Sequence, residues 1–253
     1  MAIKASIKKG FEIAKESMAL VGILSLFGFV WNLLNIYYAP KIQAQAQAPD
    51  PKVSVLIVIA TLVFIFVSIF LQAGTLGYVR DKIKQGKAGL SAFTGAGSKY
   101  YLRLFLVGLV ITLVAMVFIL VAALAVAFLK QPGLFIAVPV ALIAIYFILL
   151  MFFAPYIVVV NEEKPIASIK KSIGLVKKNL LRVLGILAIL VAIGFGIGLL
   201  IGVVLGLLNV AAPGVVSQVA TAVLSSFLNA FLGIVVTAAF MNFYLDISNT
   251  AGA

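Results

Sequence analysis

The chain has 253 residues, of which 64% are hydrophobic and only 10% charged. An ordinary soluble domain carries about 25% charged residues, so a water-soluble globule is excluded for want of polar cover. The net charge of +12 comes from 19 Lys and Arg against 7 Asp and Glu, and these bases flank apolar runs, which points to anionic lipid head groups and away from nucleic acid.

The N-terminal segment is basic, with Lys4, Lys8, Lys9 and Lys15. Placed on a helix at 100° per residue, Ile3, Ile7, Phe11 and Ala14 share an arc beside Lys8, Lys9 and Lys15. That is the pattern of a helix lying in the membrane interface. The alternative is a helical extension of the first span whose bases only set topology.

Uncharged runs then follow from Ser17 to Pro40, Val53 to Val79, Leu104 to Leu129 and Gln131 to Asn161. Each exceeds the roughly 20 residues needed to cross a hydrocarbon core about 30 Å thick. The last run, Val183 to Leu245, has 63 residues. That is too long for one span and suits two, broken at Ala211-Ala212-Pro213-Gly214. Six spans are expected, at residues 17–39, 53–78, 102–129, 134–160, 180–209 and 217–245. Continuous apolar runs without alternation favour helices over a barrel. The segment Gln43 to Ala48, between Pro40 and Pro49, reads as an outer loop. Ala44-Gln45-Ala46 is cleavage-like, but the preceding apolar run is longer than a signal core.

The segments repeat. Ala5-Ser6-Ile7-Lys8-Lys9 returns as Ala167-Ser168-Ile169-Lys170-Lys171, and Lys99-Tyr100-Tyr101-Leu102-Arg103 parallels Lys178-Asn179-Leu180-Leu181-Arg182. The expected fold is therefore an all-α integral membrane protein, a single polytopic domain of residues 1–253. Its six spans fall into three pseudo-repeated units, near residues 1–79, 80–161 and 162–253, each a basic interfacial helix followed by a helical hairpin. The N-terminus and the second and fourth loops carry 16 of the 19 bases, so this side is expected to be cytoplasmic, with both termini inside the cell membrane.

Three groups of residues are candidates for function. In the fourth loop, Ile166, Ile169, Ile173 and Val176 share one arc and Lys170, Lys171, Lys177 and Lys178 the next. Together with Lys8 and Lys9, these lysines are the expected ligands of lipid head groups, each worth about 1 kcal/mol at an anionic surface. In the fifth span, Gly194, Gly198, Gly202 and Gly206 form a ridge at spacing four. Such a ridge is expected to pack closely on another helix, either of this chain or of a second copy. The amides Asn32, Asn35, Gln72, Asn229 and Asn242 fall inside spans, where they should bond between helices or line a polar site.

The sequence has no Cys and no His, and no acid deep in a span. No catalytic, metal or cofactor residue is assigned, and neither an enzyme nor an ion-driven pump is expected. Gly95-Ala96-Gly97-Ser98-Lys99 has the composition of a phosphate loop but follows no strand.

Phe153-Ala154-Pro155-Tyr156 running into Val158-Val159-Val160, a short acidic turn, and Ala167-Ser168-Ile169-Lys170-Lys171-Ser172 to Lys178-Asn179 resembles the membrane domain fused to some glycerophosphodiester phosphodiesterases. Gln72-Ala73-Gly74 to Arg80-Asp81 and Phe243-Tyr244-Leu245-Asp246 resemble it too. The resemblance implies a six-helix membrane fold and a connection with lipid. It does not carry the phosphodiesterase activity, because the acids and histidines of that hydrolase domain are missing. The expected function is a non-enzymatic membrane protein whose basic inner face engages anionic lipids or a membrane complex. The alternative is a passive or accessory transport component for a small or lipid-like molecule. A scaffold requires a packed interior, and a transporter requires a polar cavity near Asn32, Asn35 and Gln72.

The charge bias makes a topological prediction. In intact cells, single cysteines from Ala46→Cys and Gly214→Cys label with an impermeant maleimide, and Lys84→Cys does not. Labelling at 84 but not at 46 overturns the orientation.

Overall fold

The computed structural model describes residues 2–45, 51–211 and 214–250. The described residues form nine α-helices and one 3-10 turn, with no strand among them. Helix α1 (Ala2–Glu16) precedes α2 (Met18–Gln45), and α3 (Pro51–Gln85) and α4 (Leu90–Leu129) follow. After the 3-10 turn Gln131–Gly133 come α5 (Leu134–Leu150), α6 (Ala154–Asn161), α7 (Pro165–Lys178), α8 (Leu180–Ala211) and α9 (Val215–Thr250). Six segments are long and apolar enough to cross a membrane: Met18–Tyr38, Ser54–Gln85, Leu90–Leu129, Gln131–Asn161, Leu180–Ala211 and Val215–Asn249.

Several expectations change in detail. Helix α2 continues through Pro40 to Gln45, where an outer loop was expected. Proline removes one ladder bond, but a helix retains the rest of its backbone pairing. Residues 46–50 and 212–213, which include the remainder of that loop and the Ala212-Pro213 break, lie outside the described residues. The fourth span is not one helix. It breaks at Met151–Phe153, with Pro155 in the first turn of α6. A broken helix leaves amides and carbonyls unpaired, and here the buried Ser172 of α7 answers both sides of the break. The Phe153 amide donates to Ser172 Oγ (3.1 Å), and that hydroxyl donates to the Leu150 carbonyl (2.8 Å).

The two outer basic copies form separate helices, α1 and α7, divided from the following spans at Ser17 and Asn179. In the middle copy, Lys99 to Arg103 belong to the continuous helix α4. The apolar arcs of α1 and α7 turn largely towards protein. Ile3, Ile7 and Phe11 pack against the core and Ala14 is buried. Helix α1 lies along α9, where Phe11 meets Phe231 and Ser6 Oγ accepts from Asn242 (3.1 Å). In α7, Ile169 and Val176 are buried while Ile166 stays exposed.

Burial is concentrated at the basic end of the bundle. There α1, α3, α4, α6, α7 and α9 converge on Phe153, Phe243, Tyr244, Tyr100 and Met241, all less than 2% exposed or close to it. Towards the far end the helices separate, and no residue of α8 from Val191 onwards is buried.

Glycine packing therefore falls elsewhere than on the expected ridge. A Cβ added at Gly194, Gly198, Gly202 or Gly206 would meet nothing within 4 Å. The ridge makes no close helix contact within this chain, although beyond it α8 meets α9 again, where Ser217 Oγ donates to Asn209 Oδ1 (2.9 Å). Apart from Gly133, where a Cβ would meet the Ala125 backbone in the turn after α4, the close approaches are at the basic end. A Cβ at Gly77 would overlap the Ala96 Cβ, one at Gly74 would strike the Phe93 ring at 2.6 Å, and one at Gly10 would meet the Val235 carbonyl oxygen at 2.5 Å. These glycines allow α3 to lie on α4, and α1 on α9, at backbone distance.

The contrast is measurable. Gly77→Leu overpacks the α3–α4 contact and lowers stability by about 1–3 kcal/mol or more, read as thermal unfolding in detergent. Gly198→Leu leaves it unchanged. Equal losses for both would refute this division between packed and unpacked glycines.

Candidate functional site

A cavity of about 600 Å³ opens between α2, α3, α6 and α9. Its apolar walls include Leu24, Phe27 and Trp31 of α2, Leu71 and Leu76 of α3, and Phe152 beside the break before α6. Its polar lining is Asn32, Ser68, Gln72, Thr75, Tyr156, Ser226, Asn229 and Thr237, and no lining residue is charged. Two of the lining rings stack on a third outside the cavity, with Phe64 of α3 against Trp31 at 3.7 Å and Phe27 at 4.7 Å.

The polar groups divide into two kinds. The hydroxyls of Ser68, Thr75 and Ser226 donate to carbonyls of their own helices, at Ile65 (2.8 Å), Leu71 (2.8 Å) and Ala222 (2.6 Å). Ser and Thr in spans are satisfied in this way without help from outside. The amides of Gln72 and Asn229 differ. Both are exposed to the cavity, far from either end of their spans, and neither makes a hydrogen bond among the described residues. An amide at such depth without a partner costs several kcal/mol in hydrocarbon, so the cavity is a place for water or for a polar ligand group.

Asn32 separates this cavity from a second. Its Nδ2 donates to Ser226 Oγ at 2.8 Å and lies 3.4 Å from Ser225 Oγ and 3.5 Å from the Ala222 carbonyl. Beyond it, nearer the far end, a cavity of about 290 Å³ is lined by Asn32, Asn35 and Ile36 of α2, Asn209 of α8, and Ser217, Gln218, Thr221, Ala222 and Ser225 of α9.

At the basic end a polar clamp joins α3, α4 and α6. The Arg80 guanidinium donates through Nε to Asp81 Oδ1 (2.7 Å), and through Nη1 to Tyr100 OH (2.8 Å) and the Val159 carbonyl (3.0 Å). Tyr100 OH (2.8 Å) and Lys99 Nζ (2.6 Å) both donate to Glu162 Oε1, and Arg103 Nη1 donates to the Glu162 carbonyl (2.7 Å). Hydrogen bonds from Lys99 and then Tyr100 hold the Glu162 carboxyl below the usual carboxylate range. Two arginines thus meet carbonyls at the C-terminus of α6, where the helix dipole favours cations. Glu162 itself caps α6 in a left-handed conformation, φ 57°. Tyr244 OH adds a bond to Asn161 Oδ1 (3.1 Å) and ties in α9.

The expected head-group lysines are all at the surface. Lys8 and Lys9 lie 3.9 and 3.6 Å from the Glu12 carboxylate, and Lys171 lies 3.4 Å from Glu163. Lys170, Lys177 and Lys178 are exposed on α7. The structure brings Asn32, Gln72 and Asn229 into one cavity and places Asn35 at the second, bonded to the Trp31 carbonyl of its own helix (2.9 Å). Asn242 stands apart, on Ser6. Reading the amides alone missed Ser226, Thr237 and the whole clamp. A signal for Thr237, though not for Ser226, is present in the sequence. Ser217, Thr221, Ser225, Asn229, Gly233 and Thr237 recur at every fourth residue of α9, and all of them line one cavity or the other.

No curated protein and no solved structure matches the chain. One family model does, described as a domain of unknown function, DUF7847, and it matches residues 1–247. Nearly the whole chain, from the first basic helix to the end of the last span, thus belongs to the DUF7847 family.

Proposed function

We propose that the protein is a non-enzymatic component of the cell membrane that receives a lipid or lipid-like amphipath in its uncharged cavity. Its termini and basic end face the cytoplasm, where lysines of α1 and α7 engage anionic head groups. The observation that carries this reading is the unpaired state of the Gln72 and Asn229 amides within a cavity whose other walls are apolar. Apolar walls with a few convergent polar groups suit a ligand that is itself apolar at one end and polar at the other.

A scaffold with a solid interior has no use for such a space, which favours a passive binding or transport component. The resemblance to the membrane domain of glycerophosphodiester phosphodiesterases fits the same reading, because Gln72, Pro155 and Tyr156 of the resembling segments line the cavity. Three repeated units also remain part of the proposal. They are α1 to α3, α4 to α6 and α7 to α9, with the middle basic segment fused into α4.

Native mass spectrometry of the purified protein tests both surfaces separately. Gln72→Phe fills the cavity and removes adducts of phosphatidylcholine, leaving those of phosphatidylglycerol. Replacing Lys170, Lys171, Lys177 and Lys178 with Gln weakens phosphatidylglycerol adducts, at about 1 kcal/mol per lysine or less, and leaves phosphatidylcholine. Unchanged phosphatidylcholine adducts in Gln72→Phe would overturn the cavity reading. Unchanged phosphatidylglycerol adducts in the lysine variant would reduce those bases to topology signals.

A further inference from the structure

We propose that the two cavities are halves of one passage, and that it conducts the head groups of zwitterionic phospholipids passively between the two leaflets. The inference rests on the lipid occupancy proposed for the inner cavity and extends it from binding to translocation.

The cavities share Asn32 and meet at its bond to Ser226. On α9 the row Ser217, Thr221, Ser225 lines the outer cavity and Asn229, Gly233, Thr237 the inner one. From 217 to 237 a helix rises about 30 Å, at 1.5 Å per residue, which matches a hydrocarbon core of about 30 Å. A hydroxyl, an amide or a bare glycine backbone therefore recurs at roughly each turn across the apolar thickness. Interior polar groups of this kind can replace the water that a head group leaves behind.

The chemistry selects the cargo. No charged side chain lines either cavity, so a bare ion or a net-charged head group meets no counter-charge there. A zwitterion needs only dipoles. Asn35, Gln72 and Asn229 are exposed, not sealed within the bundle. An open groove of this kind lets a head group travel along it while its acyl chains stay in the bilayer. With neither a phosphate-binding loop nor an Asp, Glu, Lys or Arg in the passage to couple to a gradient, movement is downhill only.

Asn32 is the gate. Its Nδ2 group reaches across from α2 to Ser226, Ser225 and the Ala222 carbonyl of α9 and closes the passage where the two cavities join. Removing the Ser226 hydroxyl takes away the shortest of these bonds without adding bulk.

The test uses the full chain reconstituted in phosphatidylcholine vesicles that carry a trace of fluorescent phosphatidylcholine, bleached from outside with dithionite. Wild-type vesicles bleach beyond the outer-leaflet fraction that protein-free vesicles lose. Ser226→Ala bleaches faster, by about 5-fold, the factor one neutral hydrogen bond is typically worth. Asn229→Leu and Thr221→Leu, one in each cavity, slow it; retained thermal stability in detergent separates blockage from misfolding. Bleaching no deeper than in protein-free vesicles overturns the passage, as do three variants that all match wild type. If Gln72→Phe nonetheless loses phosphatidylcholine adducts, only translocation is refuted and the binding cavity stands. If those adducts persist, the binding reading falls as well.

Discussion

In a chain whose helices are this apolar, the governing constraint is that polar atoms away from water need partners within the protein. Apart from the buried hydroxyls of Ser17 and Ser25, which have no partner among the described residues, the structure meets it by local and repeated means. The break before α6 is bridged from both sides by one hydroxyl, Ser172. Hydroxyls on α3 and α9 bond back to their own helices. Asn242 crosses to Ser6, and Asn32 crosses to Ser226. Against that background the open amides of Gln72 and Asn229 stand out, because the same helices satisfy their neighbours one turn away. A structural role would have paired them. Their position in a cavity beside the rings of Phe27, Trp31 and Phe152 is what gives the site its amphipathic character.

Packing and openness are divided between the two ends. At the basic end, Gly10, Gly74 and Gly77 let backbones approach, and a dense core forms around Phe153, Phe243 and Tyr244. Towards the far end, side chains on α4, α5 and α8 are exposed nearly all round. Lipid tails are as apolar as leucine, so exposed apolar surface there is not penalised as it would be in water. The bundle can therefore be rigid where it is polar and separated where it is apolar, and the two cavities lie along α2 and α9 between those regimes.

Much of this was legible in the sequence. Six spans follow from charge gaps, because a lysine or acid within hydrocarbon is too costly to appear by accident. Asn32, Gln72 and Asn229 could be singled out for the same reason. Other features could not be read. The Gly194–Gly206 ridge has the spacing of a packing motif, but spacing does not say whether a partner helix lies on that face, and none does within this chain. Gly74 and Gly77 pack closely although Gly-x2-Gly is a weaker pattern, because Phe93 and Ala96 happen to face them across α3 and α4. The apolar arcs of α1 and α7 were periodic enough to identify the helices, yet periodicity alone does not distinguish a lipid interface from a protein one.

The clamp at the basic end bears on the cavity through the shortness of α6. Helix α6 has eight residues, so its first turn and its last are less than two turns from the middle. Arg80 and Arg103 hold carbonyls at its C-terminal end, and Ser172 holds the backbone just ahead of its N-terminal end. Pro155 and Tyr156, which line the cavity, lie between these two anchors. A continuous helix over residues 134–161 would pass this point as one rigid rod and could not turn these side chains independently of α5. Breaking the span frees the direction of α6, and the clamp then fixes it. One wall of the cavity is thus set by interactions at the basic surface, where Glu162, Lys99 and Arg103 stand in reach of solvent.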